Sequence, residues 1–517
     1  MVGLAAFLVY LRLCPSITGD GDSAELALVL AFNGVAHPTG YPLYTLLGHA
    51  FASLLHGLGT SWPLAANAWS ALGAGVAIGL LHALGARLVP AAARLGRGAR
   101  AGLALAPVAL LAFNPVWTRD ATLAEVYSWH VAWVTGAALF FVTRVRALAA
   151  REPVPAGRVY ADAVAWGLLC GLGAAHHATS VLVSAPLSVA LLVVLRARRR
   201  LRAGAVLAAL GAALVPLSAY GYVYWRGFHP APVQWPDYIP GWQGFLYHVT
   251  GQQYRTLLGF FLPSPEQQRL LAAQVYPLLV PALALLLVAA ARARDLAARA
   301  TRWGLLAAAL AGVAHVFAYG VHDPASYFHA PLALGCLALP LLGGEWLGSP
   351  AASRRAAWAA GAVFALGAVA LWVPWLGEAR GRARNWAAAD HRVRELWRTI
   401  PVDSAVVFWP SDALYKLRAY QLLDGERPGL EVQHPLNLVG SRERLRYLEQ
   451  YGFDPTEGMP VWSAADAAGS RAGERIAFAT RLIVANVNRH RRVPVVLFDP
   501  AIPAIRVLEK PDSGVVR

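Results

Sequence analysis

Charged residues are scarce in this sequence. They make up 14% of its 517 residues, whereas a soluble protein of ordinary composition carries about 25%. Hydrophobic residues make up 57%, and long apolar runs recur along the first 376 residues. The composition therefore excludes an ordinary soluble enzyme and predicts an α-helical polytopic membrane protein.

Cysteine is also rare. Cys14, Cys170 and Cys336 lie far apart in apolar segments, and no CxxC pair is present. This pattern excludes a disulfide framework and favours buried free thiols.

Nucleotide-binding and hydrolase motifs are missing as well. The sequence contains no GxxxxGK[ST], no GxGxxG after a strand and no GxSxG. These absences argue against a P-loop protein, a dinucleotide enzyme and a serine hydrolase.

The net charge of +16 raises the question of nucleic-acid binding. The arginines, however, occur in short clusters between apolar runs, which is how membrane topology is encoded, and no nucleic-acid partner is expected. By the positive-inside rule these clusters face the cytoplasm. They lie at residues 87–100, 144–158, 196–202, 292–302 and 354–355.

The apolar runs predict about eleven spans of near the ~20 residues that a bilayer requires. The N-terminus is then cytoplasmic and the C-terminus external, with external loops at 18–62 and 226–274. The predicted spans are residues 1–17, 63–86, 101–116, 126–143, 160–176, 179–195, 203–225, 275–291, 303–320, 326–343 and 356–376.

Residues 40–56 are apolar enough to be a further span. If they crossed the membrane, the acids that precede them would lie on the arginine-rich side, away from the other polar clusters. His49, His56 and flanking Pro and Gly residues favour a shallow interfacial or re-entrant helix instead. We therefore expect every polar cluster on the external face.

The composition changes after Trp375. Residues 1–376 are predicted to form the membrane domain and residues 377–517 an external soluble α/β domain. In the second domain, residues 405–408 and 493–498 have the pattern of strands, and residues 412–423 that of an amphipathic helix.

Three acids follow the first apolar run in the stretch TGDGDSAEL. Asp22 and Glu25 have the spacing of a helix capping box, which alone would explain them. That explanation leaves Asp20 unused, and it ignores His37 and Tyr41 in the following HPTGYPLY. Acids at a membrane boundary are costly to desolvate, so a functional site is the alternative.

Further polar groups mark four other predicted external segments. An aromatic belt would account for some of them, and the adjacent histidines suggest phosphate or metal contact, although zinc would need a third ligand. Together they indicate a membrane-embedded enzyme site that faces outward, where an activated sugar must arrive on a lipid phosphate. The residues are Arg119, Glu125, Tyr127, His176, His177, Tyr254, Arg255, His322, Asp323 and Tyr327.

Six motifs occur in an order that resembles one family of type C glycosyltransferases, whose animal members are protein O-mannosyltransferases acting on plexin and Met-type receptors. The sequence departs from the family pattern at HPTGYPLY, where HPPGYPLY is usual, and at Arg427-Pro-Gly-Leu430, where RPDV is expected. The motifs are TGDGDSAEL with HPTGYPLY, NPVW with AEVYS, GLGAAHHATSVLVSAP, HVTGQQY, HDPASYF and SDALYKLRAYQLLDGERPGLEV.

The resemblance implies transfer of mannose or another hexose from a polyprenyl-phosphate donor to an external acceptor, such as protein Ser or Thr or a glycan. Asp22 is then the general base with Glu25 as its neighbour, Asp20 is the alternative base, and the remaining polar groups bind substrate. No cofactor is expected, and a divalent metal stays open.

A transporter or lipid-linked sugar flippase without transferase activity is the alternative function. It would favour charges at bilayer mid-depth and matching broken helices, and the sequence has neither. The Ala- and Arg-rich composition leads us to expect a bacterial inner membrane, with the active site and the C-terminal domain facing the periplasm.

Overall fold

The structure is a computed structural model in which residues 1–90, 95–235, 238–321, 323–349, 353–411, 413–460, 472–499 and 504–510 are described. It is mostly helical. The helices are α1 Val2–Leu13, α2 Asp22–Phe32, α3 Pro42–Gly57, α4 Trp62–Leu88, α5 Arg97–Leu111, α6 Pro115–Asp120, α7 Tyr127–Ala149, α8 Ala156–His176, α9 Val181–Ala197, α10 Ala203–Leu217, α11 Tyr220–Phe228, α12 Trp242–Val249, α13 Pro265–Gln274, α14 Tyr276–Ala291, α15 Leu296–Phe317, α16 His329–Gly335, α17 Ala338–Leu347, α18 Arg354–Arg398, α19 Leu414–Asp424, α20 Ser441–Tyr451 and α21 Ala472–His490.

Short 3₁₀ helices connect several of these elements, and four strands form one sheet near the C-terminus. The 3₁₀ helices are Ala178–Ser180, Gln252–Leu257, Ala325–Phe328 and Pro435–Val439, and the strands are β1 Ala405–Phe408, β2 Leu430–Gln433, β3 Val495–Asp499 and β4 Ala504–Leu508.

The apolar helices confirm the prediction of an integral membrane protein. Within the described residues, seven helical segments are long and apolar enough to cross a membrane, and an eighth span results if the bent pair α13 and α14 counts as one. The predicted number of eleven stays a prediction, because α1 has 12 residues and α5 has 15, fewer than a straight span requires.

The membrane helices pack through small residues, as helices in lipid commonly do. The closest approach joins α8 to α10, where a Cβ added at Gly167 would lie 2.0 Å from the carbonyl oxygen of Ala209. A side chain at this glycine would push the two helices apart. Farther along the bundle, the hydroxyl of Tyr10 donates to the carbonyl of Ala112 over 2.7 Å, which fastens α1 to the end of α5.

The predicted 18–62 loop contains two helices. α2 is buried along its whole length except at its two ends. α3 has 16 residues, so it is about 24 Å long, less than the ~30 Å of a hydrocarbon core. It buries Tyr44 and exposes Leu47 and Leu54. That α3 lies along the interface stays a prediction.

The C-terminal α/β domain is present. Its strand order is β2-β1-β3-β4, with β1 parallel to both β2 and β3, and β4 antiparallel to β3. Both predicted strands form, at β1 and β3. The predicted helix corresponds to α19, apart from Asp412, which lies outside the described residues.

One long helix leads into this domain. α18 has 45 residues and is therefore about 68 Å long, so it extends well beyond a hydrocarbon core of about 30 Å. The predicted domain boundary at residue 376 lies inside it. The far end of α18 packs under the sheet, where Trp397 is fully buried among residues of β1, β2 and α19.

Candidate active site

The acid-rich stretch forms the start of α2. Asp22 is the first residue of the helix, and the residue before it is Gly21, with a φ of 58°. Gly21 has no side chain to cap the helix, and the structure gives no side-chain capping bond here. The capping-box interpretation is therefore wrong, and both carboxylates have other surroundings.

Glu25 and His37 form a buried pair. One carboxylate oxygen of Glu25 accepts from the backbone N–H of His37 over 2.7 Å, and the other lies 2.9 Å from its Nδ1. Both oxygens of Glu25 are thus engaged, and its side chain is 2% exposed. Glu25 is therefore better suited to position His37 than to take a proton from a substrate.

The charge on His37 follows from its neighbours. Burial lowers its pKa, but the carboxylates of Glu25 and Asp22 outweigh burial and raise the pKa to about 10. Burial raises the pKa of Glu25, and the positive His37 opposes that shift. The imidazole of His37 is therefore protonated at neutral pH beside these carboxylates.

Asp22 is the open carboxylate of the group. Its side chain is 65% exposed and lies 3.9 Å from Nε2 of His37. The hydroxyl of Tyr41 lies 3.0 Å from the same nitrogen. An exposed carboxylate beside an imidazolium is free to take a proton from an incoming hydroxyl group.

Histidine and tyrosine rings form one wall beside these residues. His177 stacks on Tyr41 with ring centroids 5.5 Å apart, and Tyr127 and Tyr327 contact His177 at 5.8 and 6.4 Å. The structure thus brings four predicted site residues from four segments together.

The two adjacent histidines each bond to a neighbouring residue through one ring nitrogen. Nε2 of His176 lies 3.1 Å from the carbonyl of Val126, and Nδ1 of His177 lies 2.7 Å from the hydroxyl of Thr179. Both rings are therefore engaged in fixing the wall.

Arg119 belongs to a second cluster of charges. Its guanidinium pairs with Asp120 at 2.7 Å and with Asp323 at 2.6 Å, and it donates to the hydroxyl of Ser326 over 2.6 Å. Asp120 is buried and lies 2.9 Å from Nε2 of His329. Arg119 thus ties α6 to the segment before α16.

The surroundings of Asp120 and Glu125 shift the pKa values of these two carboxyl groups in opposite directions. Burial acts to raise the pKa of Asp120, but the Arg119 guanidinium and His329 hold it below its usual range. For Glu125, burial, followed by the negative charges of Asp120 and Asp22, raises the pKa, and the more weakly acting charges of Arg119 and His37 do not offset that rise. His322, which was predicted beside Asp323, lies outside the described residues.

The 226–274 loop covers the site. The ring of Trp235 packs edge-on against His37 at 5.9 Å, and its indole N–H donates to Gln253 over 3.2 Å. Burial raises the pKa of Tyr254, and the charges of Glu25 and Asp22 add to that shift. Arg255 is exposed.

Two residues of α19 reach the site, and the sequence analysis had not singled out either one. The buried ammonium of Lys416 pairs with Asp20 at 2.7 Å and lies 3.9 Å from Asp390 of α18. Tyr415 lies close enough to Glu25 and Asp22 that both charges add to the rise in pKa that its burial causes. Asp20 is thus held by a lysine, which leaves Asp22 as the freer carboxylate.

One group in the described part of the chain has the spacing of a metal site. One ligand atom from each of Asp22, Glu25 and His37 lies within 4.8 Å of the others. The oxygens of Glu25 and Nδ1 of His37 already bond to each other, so a cation would have to break that pair. A divalent metal stays a prediction.

The raised pKa of His37 gives a pH-dependent stability. Because the unfolded value is near 6.5 and the folded value is about 10, the stabilisation is complete below about pH 6.5 and is lost as pH rises through about 10. We expect the melting temperature of the detergent-solubilised protein to fall more steeply over this range than that of His37→Gln. Parallel curves for the two proteins would contradict an ionic pair.

Comparison with known proteins identifies relatives of this region. Residues 22–201, which contain α2, His37 and both histidines of the wall, match the family model "Protein O-mannosyl-transferase TMEM260 N-terminal domain". This region resembles the TMEM260 family. The family resemblance predicted from the motifs is thereby confirmed.

Two individual proteins are also similar. A segment of 52 residues is 44% identical to "Protein O-mannosyl-transferase tmem260" of Dictyostelium discoideum, and the match covers 10% of this chain and 6% of that protein. The crystal structure of ArnT from Cupriavidus metallidurans bound to undecaprenyl phosphate superposes with a TM-score of 0.49 and 14% identity, over 97% of this chain and 92% of that one.

Proposed function

We propose that this protein is a membrane glycosyltransferase that moves mannose or another hexose from a polyprenyl-phosphate donor to a hydroxyl group of an external acceptor, with protein Ser or Thr as the acceptor group. The observation that carries the proposal is the open carboxylate of Asp22 beside the His37–Glu25 pair. This group lies within the region that matches a family named for O-mannosyl transfer.

The chemistry requires one base and a stabilised leaving group. The acceptor oxygen attacks the anomeric carbon of the sugar, the bond from that carbon to the phosphate oxygen breaks, and the phosphate leaves with the bonding electrons. Asp22 takes the hydroxyl proton as the new bond forms. A phosphate leaving group needs no proton, so no general acid is required.

Donors beside Asp22 suit the departing phosphate. His37 is cationic at neutral pH because its pKa is about 10, and the Tyr41 hydroxyl lies next to it. Arg119 contributes less free charge, since two carboxylates already pair with it. Preorganised donors of this kind stabilise charge that develops in a transition state.

The side of the membrane on which the site lies indicates a lipid-linked sugar donor. The arginine clusters indicate a cytoplasmic face opposite the site, and an activated sugar outside the cytoplasm must be carried on a lipid. We therefore place the reaction at the periplasmic face of a bacterial inner membrane, with the C-terminal domain on the same side.

Reconstitution tests the proposal directly. The purified full-length chain in lipid nanodiscs would receive synthetic polyprenyl-phosphate mannose and a Thr-containing peptide, and mass spectrometry would measure the peptide. We expect the gain of one hexose on the Thr hydroxyl. In liposomes, movement of the donor across the bilayer without any glycosylated product would instead identify a flippase.

A further inference from the structure

A polar cleft separates the C-terminal domain from the loop that covers the site. It is open to solvent, and its cavity volume is about 170 Å³. One wall is the 231–234 segment, and the other is formed by α19, β2 and the start of α20. Its polar lining includes Gln234, Tyr415, Arg418, Gln433, Asn437 and Arg442.

The cleft carries unbalanced positive charge. Arg446 pairs with Glu431 at 2.7 Å and with Glu443 at 2.8 Å, so its charge is compensated. Arg418 donates to the carbonyl of Pro232 over 3.2 Å, and neither Arg418 nor Arg442 forms an ion pair within the part of the chain that the structure describes. Both are half-buried, and burial lowers the pKa of each. Glu443, which binds Arg446, also lines the cleft and its charge acts on both Arg418 and Arg442, but neither guanidinium has a carboxylate at ion-pair distance within the described residues, so the lining keeps an excess of positive charge.

Both walls of the cleft lead to the acids. On one side, Gln234 is followed by Trp235, whose ring packs on His37. On the other side, Tyr415 lines the cleft and precedes Lys416, which binds Asp20. The floor includes Leu28, which lies one helical turn after Glu25 on α2. Because Leu28 lies about 9 Å along α2 from Asp22, a chain lying in the cleft would approach the acids.

The remaining lining suits a polypeptide. Side-chain amides of Gln234, Gln433 and Asn437 offer both donors and acceptors, which match the alternating groups of a peptide backbone. Val432 and Gln433 belong to β2, an edge strand of the sheet. A lipid chain would need a long apolar wall, whereas polar and charged groups make up most of this lining.

We propose that this cleft is the acceptor groove and that Arg418 and Arg442 bind a carboxylate of an acidic polypeptide beside the hydroxyl that receives the sugar. This assignment rests on the proposed function and deepens it by naming the acceptor class. An arginine fork binds a carboxylate through two parallel hydrogen bonds, which gives both affinity and register.

Peptide binding without donor tests the groove apart from catalysis. The probes are fluorescent peptides with a central Thr flanked by aspartates, by asparagines or by lysines, and anisotropy measures their affinity for the full-length chain in nanodiscs. We expect the Asp peptide to bind the native protein about tenfold more tightly than the Asn peptide. Equal binding of the two peptides would overturn the proposal.

Substitutions on α20 test whether Arg442 is responsible for the preference for the Asp peptide. Arg442→Gln should remove the preference for the Asp peptide without changing affinity for the Asn peptide, and Arg442→Glu should transfer the preference to the Lys peptide. Arg444→Gln is the matched control, because Arg444 lies on the same helix, is exposed and pairs with Asp454 instead of lining the cleft. An Arg442→Gln variant that weakens Asp and Asn peptides equally, or neither, would refute the assignment.

Three further outcomes are informative. If phosphatidylglycerol vesicles displace the Asp peptide and their binding depends on Arg442, the groove takes a lipid headgroup and the polypeptide assignment fails. If the native protein glycosylates Thr peptides without any preference for acidic ones, the assignment of the groove is refuted and the proposed transferase function is supported. If the native protein binds acidic peptides through Arg442 and transfers no sugar, the assignment of the groove is supported and the proposed transferase function is refuted.

Discussion

Asp22→Asn is expected to abolish sugar transfer while leaving the protein folded in the membrane. Asparagine has the shape of aspartate but cannot accept the proton of the acceptor hydroxyl. Because a positioned base contributes about 10²–10⁴-fold, the turnover number should fall by at least about 100-fold. The side chain is 65% exposed, so its replacement leaves no buried partner without a bond and the melting temperature should be nearly unchanged.

Asp20→Asn is the informative companion of this variant. Asp20 is also exposed and lies two residues away, but Lys416 occupies its carboxylate. We expect a much smaller loss of turnover in Asp20→Asn than in Asp22→Asn, measured with the same donor and peptide. If Asp22→Asn kept native activity, Asp22 would have no part in the mechanism, and a reversed order would make Asp20 the base.

Asp120→Ala should produce the largest loss of stability. The carboxylate is buried between Arg119 and His329, so its removal takes the acidic partner from the buried His329 and one of two carboxylates from Arg119, which keeps Asp323. Breaking a buried ion pair in this way costs about 3–5 kcal/mol. Titration with denaturing detergent, followed by circular dichroism, would measure the change in the free energy of unfolding.

Asp323→Ala is the matched control for that loss. Asp323 pairs with the same guanidinium, but its side chain is 43% exposed. Exposed ion pairs contribute about 0–1 kcal/mol, so we expect a change within that range. Equal destabilisation by the two variants would mean that burial does not set the value of the Asp120 contact.

Local pattern predicted much of the architecture. The run Ala405–Phe408 has β-branched residues between turn signals, and it forms β1. The change of composition near Trp375 suggested a boundary, yet α18 continues through it to Arg398. Ala, Arg and Glu favour helix as strongly as the preceding apolar residues do, so a change in polarity there does not mark the end of the helix.

The sequence predicted which residues form the candidate site better than it predicted the contacts between them. The acids of α2, His37 and the paired histidines were all found from motifs, and the structure brings them together. Lys416 was not, because a lysine on an amphipathic helix normally faces solvent, and its burial depends on Asp20. The contact between Asp120 and His329 was not predicted either, because 209 residues separate the two and no local pattern connects them.

The contact between Asp20 and Lys416 joins residues that are 396 positions apart. While the ribosome is making the membrane helices, Asp20 has already emerged but the lysine that holds it does not yet exist. The loop that carries Asp20 would therefore settle only after α19 has been synthesised and folded against α2. Nascent or prematurely terminated chains would carry the acidic motif without the lysine that binds Asp20.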